Sequence, residues 1–229
     1  MNKRISVIIP TYNEEKNIEK LLSFLLKEKG LEIIVVDGGS SDKTKSIVAD
    51  FSDVKFYESP EKGRAHQLNL GAEKASGEIL YFVHADTIPP ISFAKHIREA
   101  FDKNQHSGCF AYRFDKQTFL LRILGFFTRF NWFYTGGGDQ TLFICRDLFQ
   151  EKKGFNTNYV IMEDFELSTR LIKEKLFVVL PQKATVSARK YEKNSFIRVN
   201  KANAKALRMF KKGVSPEEVK TFYISNLKW

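Results

Sequence analysis

Cysteine is scarce. Cys109 and Cys145 are the two in a chain of 229 residues, and neither belongs to a closely spaced pair of the metal-binding kind. Two thiols make no disulfide framework, so both are expected as small core residues in a reducing compartment. A long apolar run is also missing. The run after Met1-Asn2-Lys3-Arg4 stops at Pro10 and meets Glu14 and Glu15, which is too short for a signal peptide. Phe119 to Phe133 is more apolar but carries Arg122 and Arg129, and two charges there argue against a membrane span. The expected location is the cytosol, with the inner face of a membrane as the membrane contact left open. No G-x-x-x-x-G-K-[ST] occurs, which speaks against a P-loop enzyme. No G-x-G-x-x-G follows the first strand, which speaks against a dinucleotide oxidoreductase. No nucleic-acid reader motif is present, and no nucleic-acid partner is expected. There is no repeat and no low-complexity segment, so a single domain over residues 1–229 is expected.

What is present is regular alternation. Ile5 to Ile9, Ile33 to Val36, Val54 to Tyr57 and Ile79 to Val83 read as strands. Between and after them Ile18 to Leu26, Ile47 to Phe51, Ala65 to Ala75 and Phe93 to Phe101 follow helical spacing. Such alternation means βαβ units, an α/β fold and a mostly parallel sheet covered on both faces. The second half is less regular. Strands are expected at Cys109 to Phe114, Leu142 to Cys145 and Phe177 to Leu180, and a helix at Leu167 to Ile172. Phe119 to Phe133 reads as a helix facing the core or a partner, with a membrane-surface helix as the other option. Acidic residues are outnumbered, 27 against 37 Lys and Arg, for a net charge of +10. Nine basic residues and one Glu fall between Arg189 and Lys212. That tail, expected as helix, suits phosphates of lipid head groups or nucleic acid, or is a solvated face.

Polar residues cluster just after successive strands: Pro10-Thr11-Tyr12-Asn13-Glu14, then Asp37-Gly38-Gly39-Ser40-Ser41-Asp42, then His84-Ala85-Asp86. In a parallel sheet these ends share one edge, where open α/β sheets bind ligands. Asp37 can hold a ribose or base donor, with Gly38 and Gly39 permitting close approach; the other reading of the loop is that Ser40 or Ser41 caps the next helix. His84 and Asp86 fit either a plain turn or a metal or phosphate site. Arg64 precedes a helix start and is either a phosphate clamp or a surface arginine. Glu163-Asp164 opens a helix, as dipole complementation or as a general base. Gly136 to Gly138, followed by Asp139 and Gln140, makes a hinge, a close approach or a mobile loop.

The stretches "SVIIPTYNEEKNI", "IIVVDGGSSDKT", "GRAHQLNLGAEKASGEILYFVHADT" and "MEDFELSTRLIK" strongly resemble the family 2 inverting glycosyltransferases of the GT-A fold. Their order and spacing cover roughly the first 175 residues. The variants "FVHADT", "GGDQTLFICRDLF" and "SARKYEKNSF" are similar to a bacterial subgroup described as radical-SAM/selenodomain-associated or arsenosugar-biosynthesis glycosyltransferases. The resemblance implies a donor half (1–104), an acceptor-side half (105–190) and a basic helical tail (191–229). It implies that Pro10, Thr11, Asn13, Glu14, Asp37, Gly38, Arg64, His84, Ala85 and Asp86 hold a nucleotide-sugar, a UDP-sugar first among donors. It implies that Asp86 binds Mn²⁺ or Mg²⁺, that Asp164 beside Glu163 is the catalytic base, and that Gly138, Asp139 and Gln140 lie on the acceptor side. The acceptor would be lipid-linked or amphipathic. The chain departs from the family at His84, where a carboxylate is usual; imidazole favours Mn²⁺ over Mg²⁺ or contributes only a hydrogen bond. Other classes weighed are an S-adenosylmethionine-dependent methyltransferase, from "VVDGGSSD", and a non-catalytic nucleotide- or nucleic-acid-binding protein. A nucleotide-sugar pyrophosphorylase lacks support, because no early Gly-rich loop with a Lys is present.

Overall fold

Side chains alternate between the two faces of a strand, and the N-terminal strands are apolar on both. The computed structural model describes residues 3–128 and 141–228. In it β1 (Ile5–Thr11), α1 (Ile18–Leu25), β2 (Leu31–Asp37), α2 (Thr44–Ala49), β3 (Val54–Glu58), α3 (Arg64–Lys74) and β4 (Ile79–Phe82) alternate as expected. There follow β5 (Thr87–Ile88), α4 (Phe93–Asp102), β6 (Ser107–Phe114), α5 (Phe119–Phe127), β7 (Leu142–Cys145), α6 (Arg146–Glu151) and α7 (Glu163–Lys173). The chain then forms β8 (Val178–Val186), α8 (Arg189–Lys193), α9 (Phe196–Lys211) and α10 (Pro216–Asn226).

The strands form one sheet in the order β3-β2-β1-β4-β7-β6-β8-β5. The first four are parallel, and β7 is antiparallel to both of its neighbours. Val7, Ile9, Val35 and Tyr81 face one layer with Leu22 of α1 and Phe93 and Ile97 of α4. Ile8, Ile34, Val36 and Phe82 face the other with Leu68 of α3 and Leu167 and Leu171 of α7. Each such apolar side chain contributes about 1.5–3 kcal/mol by leaving water. Gly71 lets α3 lie close on β1: a Cβ there would come within 2.4 Å of Ile8 Cγ2. Buried Glu32 anchors the opposite edge. Burial works against its charge, but Lys55, Ser6 and Ser76 overcome this and hold its carboxyl down at about 2.

β5, α6 and α8 were not expected. Each is too short to show a hydrophobic period. The helix from Phe119 ends at Phe127, and residues 129–133 of the expected helix lie outside the described ones. The core placement is corrected, since only Leu121 and Gly125 are buried and Phe119 is 75 % exposed; the outward apolar side chains fit the partner-facing and membrane-surface options. A separate small core, built on Val199, Ala202, Val219 and Tyr223, joins α9 to α10. Among the described residues no helix is long and apolar enough to cross a membrane.

Candidate functional site

The register pairs Thr11 with Asp37, so the ends of β1 and β2 lie side by side. Asp37 is fully buried and takes hydrogen bonds from Thr11 Oγ1 (3.1 Å), Gly39 N (2.9 Å), Ser40 N (2.7 Å) and Ser40 Oγ. Gly39 turns the loop at φ +92°, which a residue with a Cβ rarely adopts. Asn13 N donates to Ser40 Oγ and Asn13 Oδ1 accepts from Ser41 N, both at 2.9 Å. The serines therefore do not cap α2, whose N-cap Lys43 has no side-chain cap bond; they tie the two loops together. Gln67, not anticipated, donates from Nε2 to Thr11 O and Val36 O at 2.8 Å each, and Gly38 N donates to Thr11 O at 2.9 Å. Pro10 is buried beside them. A Cβ on Gly38 would press on the Gln67 amide at 3.1 Å. This loop is a surface built from its own hydrogen bonds.

A second cluster forms further along the same edge. Beyond β4 the chain turns, with Thr87 N donating to His84 O at 3.0 Å and Ala85 buried in the core. The turn presents His84 and Asp86. Across from it α7 begins at Glu163 and Asp164, 2 % and 7 % exposed, after Met162 in the left-handed region at φ 68°. A helix start favours negative charge, which helps two adjacent carboxylates remain there. His84 Nε2 lies 3.7 Å from Asp164 Oδ2. Arg64, the first residue of α3, reaches Glu163 Oε1 at 3.0 Å and Asp164 Oδ2 at 3.8 Å through Nη1. Burial pushes the Glu163 carboxyl above the usual range; Arg64 opposes the shift and Asp164 adds to it.

Arg189 is the residue the sequence reading missed. It opens α8, and its Nη2 lies 3.2 Å from Asp86 Oδ2 and 3.3 Å from Glu14 Oε1. Burial works against its charge, but Asp86 and Glu14 outweigh that and raise its proton affinity. The density of cations after Ser187 marks the basic tail, but nothing in the sequence singles out Arg189 within it.

Arg64, His84, Asp86, Glu163, Asp164 and Arg189 line one cavity of about 370 Å³. Glu14 borders it through Arg189. Pro10, Thr11, Asn13, Asp37 and Gly38 are gathered in the neighbouring loop and do not line it. Gly138, Asp139 and Gln140 lie outside the described residues. A larger groove of about 800 Å³ runs under α5 past Arg113, Arg122 and Lys183, away from these carboxylates.

Among the described residues no three His, Cys, Asp or Glu side chains are placed to hold a metal ion. Asp86 and His84 offer a carboxylate and an imidazole. That set fits a divalent cation taking its remaining ligands from a diphosphate and water, not a cage made by the chain alone.

The pattern of Glycosyl transferase family 2 matches residues 6–160, more than half of the chain. The chain belongs to that family. A relative from Methanococcus voltae, dolichyl N-acetyl-alpha-D-glucosaminyl phosphate 3-beta-D-2,3-diacetamido-2,3-dideoxy-beta-D-glucuronosyltransferase, is 25 % identical over 198 residues, covering 74 % of this chain. The chain spans 62 % of that relative's length. The fold is GT-A. The mannosyltransferase PcManGT of Pyrobaculum calidifontis, solved with GDP-Man and Mn²⁺, superposes with a TM-score of 0.70 at 22 % identity, over 96 % of this chain and 68 % of that one. S. aureus TarS 1-349 with UDP-GlcNAc superposes at 0.65 and 18 % identity, over 96 % and 70 %. The family match stops before α7, so Asp164 and the Arg189 tail lie beyond it.

Proposed function

We propose that this family 2 chain is a glycosyltransferase that moves a sugar from a nucleoside-diphosphate sugar, a UDP-sugar, to an acceptor hydroxyl with inversion. One observation carries the reading: Asp164, nearly buried at a helix start, opens on the same small cavity as Asp86, Arg64 and Arg189. Asp164 takes the proton from the acceptor hydroxyl as that oxygen bonds to the anomeric carbon. The bond from that carbon to the diphosphate breaks on the opposite face, and its electron pair leaves with the diphosphate. Arg64 and Arg189 bring fixed positive charge to the end where the negative charge grows. Asp86, with His84 beside it, would hold Mn²⁺ or Mg²⁺, which would offset charge on the departing diphosphate. The Asp37 loop, with Pro10, Thr11, Asn13 and Gly38, would seat the nucleotide.

The donor half is placed at 1–104, the acceptor side at 105–190, including Gly138, Asp139 and Gln140, and the tail at 191–229. Variants such as "FVHADT" and "SARKYEKNSF" support the radical-SAM/selenodomain-associated subgroup. The name of the M. voltae relative supports a lipid-linked acceptor. The exposed apolar side chains of α5 support contact with the inner face of a membrane.

Calorimetric titration of UDP and GDP, each with Mn²⁺ and with EDTA, tests the donor site. The expected result is metal-dependent binding with UDP preferred at least tenfold, and loss of the metal dependence in Asp86→Ala. Binding of neither nucleotide, or of S-adenosylmethionine in their place, overturns the reading.

A further inference from the structure

The cavity that holds Asp164 has two ends of different character. At the sheet end its acidic residues are Asp86, Glu163 and Asp164. The far end is made by the C-terminal helices, and among the described residues no acid lines it. Asn203, Ala206 and Leu207 of α9 and Lys220, Tyr223 and Ile224 of α10 line it. Each triplet has the i, i+3, i+4 spacing that puts three side chains on one helix face. Two neighbouring cations enter between the ends. Arg189 turns to the donor-side carboxylates, while Lys190 Nζ lies 5.6 Å from the Tyr223 ring centre on α10. Tyr223 is fixed in turn, since its hydroxyl donates to Asn203 Oδ1 at 2.7 Å.

We infer that the α8–α10 end is an acceptor subsite for an alcohol that carries a phosphate, with Lys190 and Lys220 holding the phosphate and Leu207 and Ile224 packing against its carbon skeleton. This rests on the transfer reading above, because it takes Asp164 as the group that meets the hydroxyl. Size agrees. A cavity of about 370 Å³ is at the small end of ligand sites, too small for donor and acceptor entire. The nucleotide-loop residues are not among those lining it. Charge agrees as well. Lys220 at the far end and Lys190 beside it stand with apolar side chains, which suits an anion on a carbon body better than a neutral sugar.

The subsite is tested by direct binding. Glycerol 1-phosphate and phosphatidylglycerol vesicles are titrated into the whole chain, with and without saturating UDP and Mn²⁺. Glycerol and phosphatidylcholine vesicles are the neutral controls. At least one phosphate probe is expected to bind, and Lys220→Glu to weaken it tenfold or more. Lys220→Arg should restore binding, with UDP affinity unchanged in both variants. Binding of the free phosphate alone marks a soluble acceptor, and of the vesicles alone a lipid one. Equal binding by wild type and Lys220→Glu, or no binding of either phosphate probe, overturns the subsite even where UDP binds normally. A Lys220-dependent phosphate site in a chain that fails to bind UDP keeps the phosphate site and overturns the donor reading on which its acceptor role rests.

Discussion

Asp37 and Asp164 are two nearly buried carboxylates at one edge of one sheet, and they are held in opposite ways. Asp37 takes four hydrogen bonds from Thr11, Gly39 and Ser40, all within the first two strand–loop units. Asp164 instead meets ionisable groups brought from elsewhere, His84 at 3.7 Å and Arg64 at 3.8 Å. Its neighbour Glu163 meets Arg64 at 3.0 Å without an aligned hydrogen bond to that oxygen. A carboxylate whose lone pairs are taken up by donors from its own loop fixes the shape of that loop. A carboxylate with long, loose contacts keeps lone pairs for a substrate. On the function proposed above, the edge separates a prebuilt recognition surface from a reactive one.

Removing the reactive carboxylate should have the largest effect. Asp164→Asn is expected to lower the transfer rate by about 10²–10⁴-fold while nucleotide affinity stays within twofold. Rates and calorimetry on the same preparation check this, and a variant with normal turnover breaks the contrast. Asp37→Ala should do the reverse. It leaves four donors without their acceptor, costs about 2–3 kcal/mol of stability and weakens nucleotide binding at least tenfold. If Asp37→Ala binds nucleotide as well as wild type, the loop is not the recognition surface.

The same contrast explains what the sequence made legible. β1 to β4 and their helices carry long apolar periods, and the polar residues after them fall on one edge because the strands are parallel. The Asp37 loop is local, so its residues could be named in advance. Arg189 could not, because its partners Glu14 and Asp86 are brought to it only by the path of β8. Gln67 was hidden for a related reason: it sits on a buried helix face, and the carbonyls of Thr11 and Val36 that it joins belong to two strands. The apolar run of α5 could not choose between a core face and an outward one, and it mostly faces outward. Short elements such as β5 and α8 have no period to read.

Arg189 gives a sharper probe of the reactive end, with a smaller effect. Its guanidinium occupies one oxygen of Asp86 at 3.2 Å, so it and a divalent cation compete for the same carboxylate. Arg189→Ala should tighten Mn²⁺ binding in the absence of nucleotide by about fivefold to tenfold, as removing one surface-accessible charge contact of roughly 1 kcal/mol would. Titration of Mn²⁺ followed by its electron-spin signal reads this directly. Unchanged or weaker Mn²⁺ binding would mean that Asp86 is not where the cation sits.

Glu163 supplies the smallest effect and the one with a sign. Its proton affinity is raised in the folded chain, chiefly by burial, so the folded state binds more protons than the unfolded one above the ordinary carboxyl range. Stability is then fullest below that range and falls as pH rises through the elevated value. Glu163→Gln removes the ionisation while keeping the shape. Arg64 loses little with it, because its side chain is 49 % exposed. The variant should match wild type near pH 4 and melt higher near pH 8, by a difference that grows as pH rises. A difference in melting temperature that does not grow with pH would place Glu163 among the well-held carboxylates, with Asp37, and move the boundary between the two regions to Asp164 alone.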